Sequence, residues 1–281
     1  IHLAAAHRCA AFSACARMTR NHPPASSNNK PARPRGRDLP HTQCARCPLR
    51  ANPNLRKFSA AELEFVQRFK IAEIEVQAGR VILRDGERAP HLYTVLDGWA
   101  IRYKFAGEGR RQVLNFALKG DLIGLQSALF DKMHQTVEAL TDVRLCVFDR
   151  KRMFELYREH PGLAYDLTWL AAQEKTILGE HLVNIGQRPA IGRLAYIILF
   201  LFDRARRAGL TSSNTLEMPI TQEDLADAMG LSIVHTNKTL RRMHALGLIE
   251  WRRNRLTILD IEQLSHLAEI ESVTAQQRPF I

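Results

Sequence analysis

A cluster of basic side chains near the C-terminal end is the feature of this sequence with the clearest chemical use. From His235 to Arg255 there are six Lys and Arg residues and one acid, Glu250. Positive side chains at this density displace counterions from the phosphates of nucleic acids. The pattern therefore indicates a surface for a polyanion, provided that the local structure presents the cations together.

The segment that precedes most of these cations has the signals of two short helices joined by a tight turn. Thr221 is suited to cap the first helix, because its hydroxyl can accept a first-turn N–H, and Glu223 and Asp224 favour the same helix end. Gly230 can adopt the left-handed conformation that ends a helix, and Ser232 can cap the next helix at once. The sequence thus predicts a helix-turn-helix.

The second helix should have one packed face and one basic face. Helical spacing places Thr236, Leu240 and Met243 on its inner side. After Gly247, the runs LIEW and LTI on either side of RRNR predict a two-stranded hairpin, or wing. A basic helix beside a basic hairpin is typical of a winged helix-turn-helix that enters the major groove of double-stranded DNA. The candidate DNA-contacting residues are Thr221, Ser232, Val234, His235, Asn237, Lys238, Arg241, Arg242, Arg252 and Arg253.

Composition bounds the class of protein. The 281 residues include 40 Lys and Arg against 29 Asp and Glu, a net charge of +11. Residues 1–57 hold eleven of these cations and only one acid, Asp38, and their Pro-, Ser- and Arg-rich stretch predicts a disordered basic arm. The longest apolar run is far shorter than the roughly 20 residues of a membrane span. We therefore expect a cytoplasmic location and no membrane partner.

The middle of the chain changes to a period of two. Ser59 and Glu62 predict a capping box that begins a short helix. From Ile74 to Phe148 apolar and polar residues alternate, and glycines recur at spacings of 7 to 12 residues. Short alternating runs separated by turn residues predict an antiparallel, jelly-roll-like β-roll.

A long helix should follow the roll. Pro161 suits a first helical position, and no further Pro occurs until Pro189. The apolar face of this helix is wider than a surface helix needs, so we expect one side to pack on the roll and the other on a second copy of the chain. The candidate interface residues are Leu163, Leu167, Leu170 and Ile177.

These patterns together predict an α+β chain in four parts. A basic arm with a C-x-x-C motif covers residues 1–57, and a β-roll sensor domain covers 58–160. A dimerisation helix covers 161–186, and a winged helix-turn-helix domain covers 187–281.

This order of parts resembles the Crp/Fnr family of bacterial transcription regulators. Two segments carry the resemblance: GDLIGLQSALF, from Gly120 to Phe130, and MGLSIVHTNKTLRRM, from Met229 to Met243. The resemblance implies a homodimer that binds a near-palindromic DNA operator, acts with RNA polymerase and responds to an effector in the roll. Where the best-known members carry a Glu and an Arg that read bases, this chain has Val234 and Lys238.

The roll departs from the cyclic-AMP binders of that family. Their Gly-Glu pair corresponds to Gly124 and Leu125 here, and their phosphate-binding Arg-Ser pair falls on Gln135 and Thr136. Without that arginine a buried cyclic phosphate would lack its cationic partner, so we do not expect cyclic AMP and leave the effector unknown. Five residues remain candidates for an effector pocket: Gly124, Gln126, Ser127, Gln135 and Thr136.

The cysteines allow a second interpretation, a metal or iron–sulfur sensor of redox state or oxygen. The five cysteines are an odd number scattered along the chain, which argues against a disulfide framework. The candidate ligands are His41, Cys44, Cys47 and Cys146, which leaves an iron–sulfur cluster or zinc open. The sequence favours the simpler interpretation of reduced thiols with a buried Cys146.

No pattern in the sequence indicates an enzyme. A nucleophile with its base, a glycine-rich phosphate loop and an H-E-x-x-H helix are all absent. A third class remains, a winged-helix module that binds protein or RNA. The favoured interpretation is a dimeric, sequence-specific DNA-binding regulator of transcription.

Overall fold

The computed structural model describes residues 36–270 and 277–280, all of which belong to one compact unit, Pro31–Ile281. The roll contains nine strands, and the C-terminal part contains four more. The roll strands are β1 (Arg37–Leu39), β2 (Lys70–Val76), β3 (Val81–Leu83), β4 (His91–Asp97), β5 (Ala100–Phe105), β6 (Arg111–Ala117), β7 (Leu122–Ile123), β8 (Thr136–Ala139) and β9 (Val143–Asp149). The C-terminal strands are β10 (Thr211–Ser212), β11 (Thr215–Glu217), β12 (Ile249–Arg252) and β13 (Arg255–Ile258).

Eight α-helices accompany these strands in the described part of the chain. They are α1 (Ala60–Phe69), α2 (Leu125–Phe130), α3 (Met153–Glu159), α4 (Pro161–Gln187), α5 (Ala190–Arg207), α6 (Gln222–Met229), α7 (Ile233–Ala245) and α8 (Ile261–Ala268). The capping box predicted at Ser59 and Glu62 begins α1, and each residue's side chain accepts the other's backbone N–H. None of the described helices combines the length and the apolar character needed to cross a membrane.

The roll consists of two antiparallel sheets, with strand orders β1-β2-β9-β4-β7 and β3-β8-β5-β6. Their alternating inward residues form a core that includes Ile74, Tyr93 and Val147. Gly98 joins β4 to β5 at a φ of +85°, and a Cβ there would lie 2.3 Å from the carbonyl oxygen of Asp142. The antiparallel roll expected from the alternation and the glycine spacing is confirmed.

The arm differs from the prediction of disorder over residues 1–57. Residues 1–35 lie outside the described residues, but residues 36–57 pack on the roll. Strand β1 pairs with β2, and Leu49 and Leu55 are only 1% and 6% exposed. The arm buries enough apolar surface to stay packed against the rest of the chain, and β1 forms a hydrogen-bonded pair with β2 at the edge of the sheet.

The long helix predicted from Pro161 is α4, but its apolar face is distributed differently from the prediction. Leu163, Leu167 and Leu170 are at most 7% exposed and pack in the core of their own chain. Ile177 is half-buried. Leu163, Leu167 and Leu170 are therefore not available as dimer contacts in this structure, because the apolar residues of the first half of α4 cover the roll and α1, whereas Ile177 stays a predicted contact.

Helix α5 connects the roll to the C-terminal part. The outward residues of the second sheet, such as Ile101 and Phe116, share one apolar cluster with Leu194 and Ile198 of α5 and with Leu225 of α6. The C-terminal sheet has the order β10-β11-β13-β12, in which the β10–β11 hairpin was not predicted.

Ion pairs cross the same contact between the roll and the C-terminal part. Arg111 of β6 donates to Asp224 and Asp227 of α6, both at 2.7 Å. Asp121, in the turn between β6 and β7, pairs with Arg204 of α5 and with Arg278, the latter at 2.6 Å. We call the contact made by these six residues the junction.

Candidate nucleic-acid interface

Helix α6 begins where the sequence predicted and is fixed by a reciprocal capping box. The Thr221 hydroxyl oxygen accepts the Asp224 N–H at 3.0 Å, and the Asp224 carboxylate accepts the Thr221 N–H at 2.9 Å. The Asp224 carboxylate also forms an ion pair with Arg111 of the roll. One carboxylate therefore both caps the first helix and ties it to the junction.

The turn between α6 and α7 follows the predicted chemistry. Gly230 ends α6 in the left-handed conformation, with a φ of 62°, and Leu231 donates its N–H to Ala226. Ser232 caps α7 by accepting the His235 N–H at 3.2 Å. This short turn directs α7 away from α6 and leaves its first residues at the surface.

Helix α7 divides into a packed side and an exposed side. Thr236, Leu240 and Met243 are buried as predicted, and Thr239 joins them. The exposed side carries Val234, His235, Lys238, Arg241 and Arg242, and Val234 is 74% exposed.

Two residues of α7 differ from the expected pattern. Asn237 is half-buried rather than exposed, and its buried side-chain oxygen has no hydrogen-bond partner in the described part of the chain. Ile233, 42% exposed, was not among the candidates. Its position directly after the cap Ser232 is the signal that would have identified it, since a first-turn residue lies at the exposed tip of the helix.

The hairpin of β12 and β13 stands beside α7. Its turn places Arg253 at a φ of 54°, and the Trp251 indole N–H donates to the Arg253 carbonyl oxygen at 2.9 Å. Arg252 and Arg253 are exposed at the tip. Arg255, which follows on β13, is exposed as well and pairs with Glu217 at 3.2 Å.

The exposed cations differ in whether they have acidic partners. Arg252 pairs with Glu250 at 2.6 Å on the surface. Lys238, Arg241, Arg242 and Arg253 form no ion pair within the residues that the structure describes. We call α7 and the hairpin, with these cations, the recognition surface. Its charge is available to an incoming polyanion, because no protein carboxylate has to be displaced from the four unpaired cations.

The predicted effector residues are largely used inside the roll. Gly124, at a φ of 93°, begins α2, and the Ser127 hydroxyl donates to its carbonyl oxygen at 2.9 Å. Thr136 accepts the Asp85 N–H at 3.2 Å, and Gln135 is buried.

Gln126 is half-buried, and its buried side-chain oxygen lacks a partner among the described residues. None of the five predicted residues lines the cavity that opens elsewhere in the roll, between its strands, α4 and α5. That cavity has a volume of about 30 Å³, whereas pockets for ligands of nucleotide size measure roughly 300 Å³ or more. A cyclic nucleotide does not fit there.

The cysteines come together without forming a metal site. Cys44 and Cys146 are buried, Cys47 is half-buried, and all three adjoin one apolar cluster. Burial raises the pKa of each of the three thiols. His41 is exposed, and in residues 36–270 and 277–280 no group of three or more His, Cys, Asp or Glu side chains can hold a metal ion. As placed in the described part of the chain, the four predicted ligands do not form a metal-binding group.

Two family models match the chain. Residues 73–160 match the cyclic nucleotide-binding domain, and residues 192–267 match the Crp-like helix-turn-helix domain. The first model covers strands of the roll, and the second covers the recognition surface.

Curated relatives are regulators of transcription or of nitrogen fixation. The nitrogen fixation regulation protein FixK of Rhizobium meliloti is 32% identical over 190 residues, which cover 67% of this chain and 83% of that protein. FixK of Bradyrhizobium diazoefficiens is 27% identical over 225 residues, 80% of this chain and 93% of that protein. The transcriptional activator protein FnrL of Cereibacter sphaeroides is 25% identical over 223 residues, 77% and 88% of the two chains.

Solved structures share the fold. FixK2 from Bradyrhizobium japonicum superposes with a TM-score of 0.64 at 23% identity, over 71% of this chain and 98% of that one. A Crp-family transcriptional regulator from Thermus thermophilus gives a TM-score of 0.59 at 21% identity, over 72% and 98%. With its roll, its long helix and its exposed helix-turn-helix, and with these relatives, the chain belongs to the Crp/Fnr family of transcription regulators and is not an enzyme.

Proposed function

We propose that this regulator is a cytoplasmic homodimer that binds a near-palindromic DNA operator through the recognition surface and acts with RNA polymerase. In this proposal α7 enters the major groove, and the hairpin of β12 and β13 contacts the flanking phosphates. The roll receives an effector whose identity is open.

The observation that carries this proposal is the exposed side of α7. Lys238 stands on it without an acidic partner in the described residues, between the exposed first turn and the basic second half of the helix. Lysine can contact the O6 and N7 atoms of guanine, and Val234 can meet a thymine methyl group. Asn237 has an unpaired carbonyl oxygen, and an amide at this position can pair with adenine after a change of rotamer.

The second half of α4 supports a homodimer. Three of its apolar side chains remain exposed: Leu178 is 41%, Leu182 is 73% and Val183 is 51% exposed. Leu178 and Leu182 are four residues apart and therefore share one face of the helix. The same patch on a second copy would cover this face around a two-fold axis, which matches the symmetry of a palindrome.

The roles of single side chains can be tested by comparing Lys238→Ala with Arg253→Ala. Lys238→Ala should cost about 1–3 kcal/mol on the specific duplex and much less on random duplexes, because it removes a base contact. Arg253→Ala should weaken binding to both duplexes alike and lower the slope of log K against log salt by about one, because it removes a phosphate contact. Fluorescence anisotropy titrations at several salt concentrations measure both quantities. Equal losses on both duplexes for both variants would contradict the assigned roles.

The dimer can be tested on the exposed face of α4. Leu182→Glu should give a folded monomer that binds a single half-site but has lost the high affinity for the full palindrome. The matched control is Lys175→Glu, at an exposed polar position of the same helix. Sedimentation velocity measures the mass of each variant, and a wild-type chain that sediments as a monomer at micromolar concentration would contradict the proposal.

A winged-helix module for RNA or protein would behave differently in the same titrations. If duplex RNA competes as well as duplex DNA for the recognition surface, the proposed operator binding is wrong. DNA should compete much more strongly, because the narrow, deep major groove of A-form RNA excludes a helix such as α7.

A further inference from the structure

A small cavity lies where the roll, α4, α5 and the C-terminal residues 277–280 meet. Its volume is about 30 Å³. Its polar walls include Arg102 and Asp121 of the roll, Gln173 and Glu174 of α4, Arg204 of α5, and Arg278. Three of these six side chains carry guanidinium groups, and the cavity is partly open to solvent.

Arg102 provides the unsatisfied donor of this cavity. It is 6% exposed and extends from β5, where its Nη2 donates to the carbonyl oxygen of Leu122 at 2.8 Å and its Nη1 pairs with Glu174. Its buried Nε has no hydrogen-bond partner among the described residues. Burial also lowers the pKa of Arg102 to about 10, although the carboxylate of Asp121 acts in the opposite direction.

Asp121 is the one carboxylate that pairs with Arg204 and Arg278 among the described residues, although Arg204 also donates to Asn115 and to the Phe116 carbonyl oxygen, and Arg278 to Gln173. Asp121 is 2% exposed, pairs with Arg204, and pairs with Arg278 at 2.6 Å. Burial would raise the pKa of Asp121, but the charges of Arg204, Arg278 and Arg102 outweigh it and hold the pKa well below its usual range. This carboxylate is therefore ionised, and its charge is already shared.

The charges around the cavity do not balance. Arg102, Arg204 and Arg278 bring three positive charges, and Asp121 and Glu174 bring two negative ones. Arg278 is 27% exposed and keeps part of its hydration, but Arg102 and Asp121 are buried, and a buried charge is stable only when its pairing replaces the water it has lost. The lining thus carries one excess positive charge at a place where a buried N–H donor, the Nε of Arg102, is also unused among the described residues.

We propose that this cavity binds a small inorganic oxyanion of the size of nitrate or phosphate. Such an anion balances the excess positive charge, and its oxygens match the fork of a guanidinium group, including the free Nε of Arg102. The volume excludes a nucleotide. This inference rests on the proposed function in one respect: it takes the junction to be part of a DNA-binding regulator.

The test uses the full-length chain and three probes: sodium nitrate, sodium phosphate and sodium sulfate. Calorimetric titration and thermal unfolding are followed at constant ionic strength, with sodium gluconate as the balancing salt because gluconate is too large for the cavity. At least one probe should bind saturably with one site per chain and raise the Tm. Arg102→Gln should weaken that binding at least tenfold.

Two further variants keep the test decisive. Arg278→Gln removes a charge whose side chain is 27% exposed and leaves Asp121 paired with Arg204, so this variant should fold even if Arg102→Gln does not, and it should also weaken the binding. Arg84→Gln removes an arginine that is 60% exposed and paired only at the surface, and it should bind the anion like the wild type. No saturable binding of any probe, or binding that Arg102→Gln and Arg278→Gln leave unchanged, would overturn the proposal.

DNA titrations of the same preparations separate this inference from the proposed function. Anion binding by a protein that does not bind duplex DNA would leave the anion site in place and refute the proposed operator binding. Operator binding by a protein that binds none of the three anions would refute the anion site and leave the proposed operator binding in place.

Discussion

The recognition surface and the junction use the same residue type, arginine, in opposite ways. Arg241 and Arg253 of the recognition surface are exposed and have no acidic partner among the described residues. Arg111 of the junction contacts two carboxylates of α6 at 2.7 Å, and Arg204 pairs with the buried Asp121. The difference is in hydration, because only the surface cations keep their water until a ligand arrives.

This difference separates the contribution of each arginine to stability from its contribution to binding. A surface cation adds little to folding, because water solvates it well and salt screens it. A cation that neutralises a buried carboxylate cannot be removed alone, because the carboxylate then stays buried without its partner. The junction should therefore respond to mutation through stability, and the recognition surface through DNA affinity.

The largest effect is expected from Arg204→Met. Asp121 would keep Arg278 but lose the charge of Arg204, and the free energy of unfolding should fall by about 3–5 kcal/mol, as for other broken buried pairs. The matched control is Arg206→Met on the same helix, because Arg206 pairs with Asp203 at the surface and its side chain is 63% exposed. That control should cost less than about 1 kcal/mol. Urea denaturation measures both, and similar losses would remove the distinction between the two regions.

A second, somewhat smaller effect concerns His181, which packs on α5 beside the junction. It is 7% exposed and lies edge-on to the rings of Tyr196 and Phe200. Burial and the nearby charge of Arg204 lower its pKa from 6.5 to about 4. The side chain is therefore neutral in the folded protein near neutral pH.

The sign of the pH effect follows from this direction. Between pH 6.5 and about 4 the unfolded chain binds a proton at this histidine and the folded chain does not, so stability falls as the pH falls through this window. Protonation of His181 in the unfolded chain should lower the free energy of unfolding by about 3 kcal/mol in total by the time the pH has fallen to about 4. His181→Phe should remove this part of the pH dependence, as measured by urea denaturation from about pH 4.5 to about 7.5. Parallel curves for the variant and the wild type would show that the imidazole titrates normally.

The smallest effect on stability is expected from Arg241→Ala in the recognition surface. Its removal should change the free energy of unfolding by less than about 0.5 kcal/mol, as for other exposed side chains. It should nevertheless reduce DNA affinity and lower the salt dependence of binding, because one phosphate contact is lost. Thermal unfolding and anisotropy titrations of the same preparation test the two statements together. A marked loss of stability would show that Arg241 has a structural partner.

Local signals explain why the recognition surface could be predicted from the sequence. The cap at Thr221, the left-handed Gly230 and the second cap at Ser232 lie within twelve residues, and each acts on backbone groups close to it in the chain. The alternation of apolar and polar residues in the roll is likewise a local pattern, and it predicts β-strands with one buried face. These features were sufficient to place α6, α7 and the hairpin of β12 and β13.

The junction could not be predicted, because its pairs join residues far apart in the chain. Arg204 and Asp121 are separated by 83 residues, and Arg111 and Asp224 by 113. The same limit explains why the buried Leu163, Leu167 and Leu170 of α4 were predicted to contact a second copy of the chain. The apolar residues of α4 surround much of the helix, and only the packed structure distinguishes Leu167, which faces the chain's own core, from the exposed Leu182.

The packing of the arm also depends on a distant partner. Strand β1 has only three residues and finds its place through pairing with β2, more than thirty residues later in the chain. The composition of the arm, rich in Arg and Pro, therefore gave no indication that residues 36–57 pack on the roll.

The central claim, that the recognition surface of a dimer reads a symmetric DNA site, is tested most directly by selection from randomised duplexes with the full-length protein. The proposed function predicts enrichment of an inverted repeat whose half-sites are centred about 10 base pairs apart, or a multiple of that spacing. The Lys238→Ala variant should enrich the same repeat with relaxed preference at one position of each half-site. Enrichment of no sequence, or of a single half-site without its inverted copy, would contradict the claim.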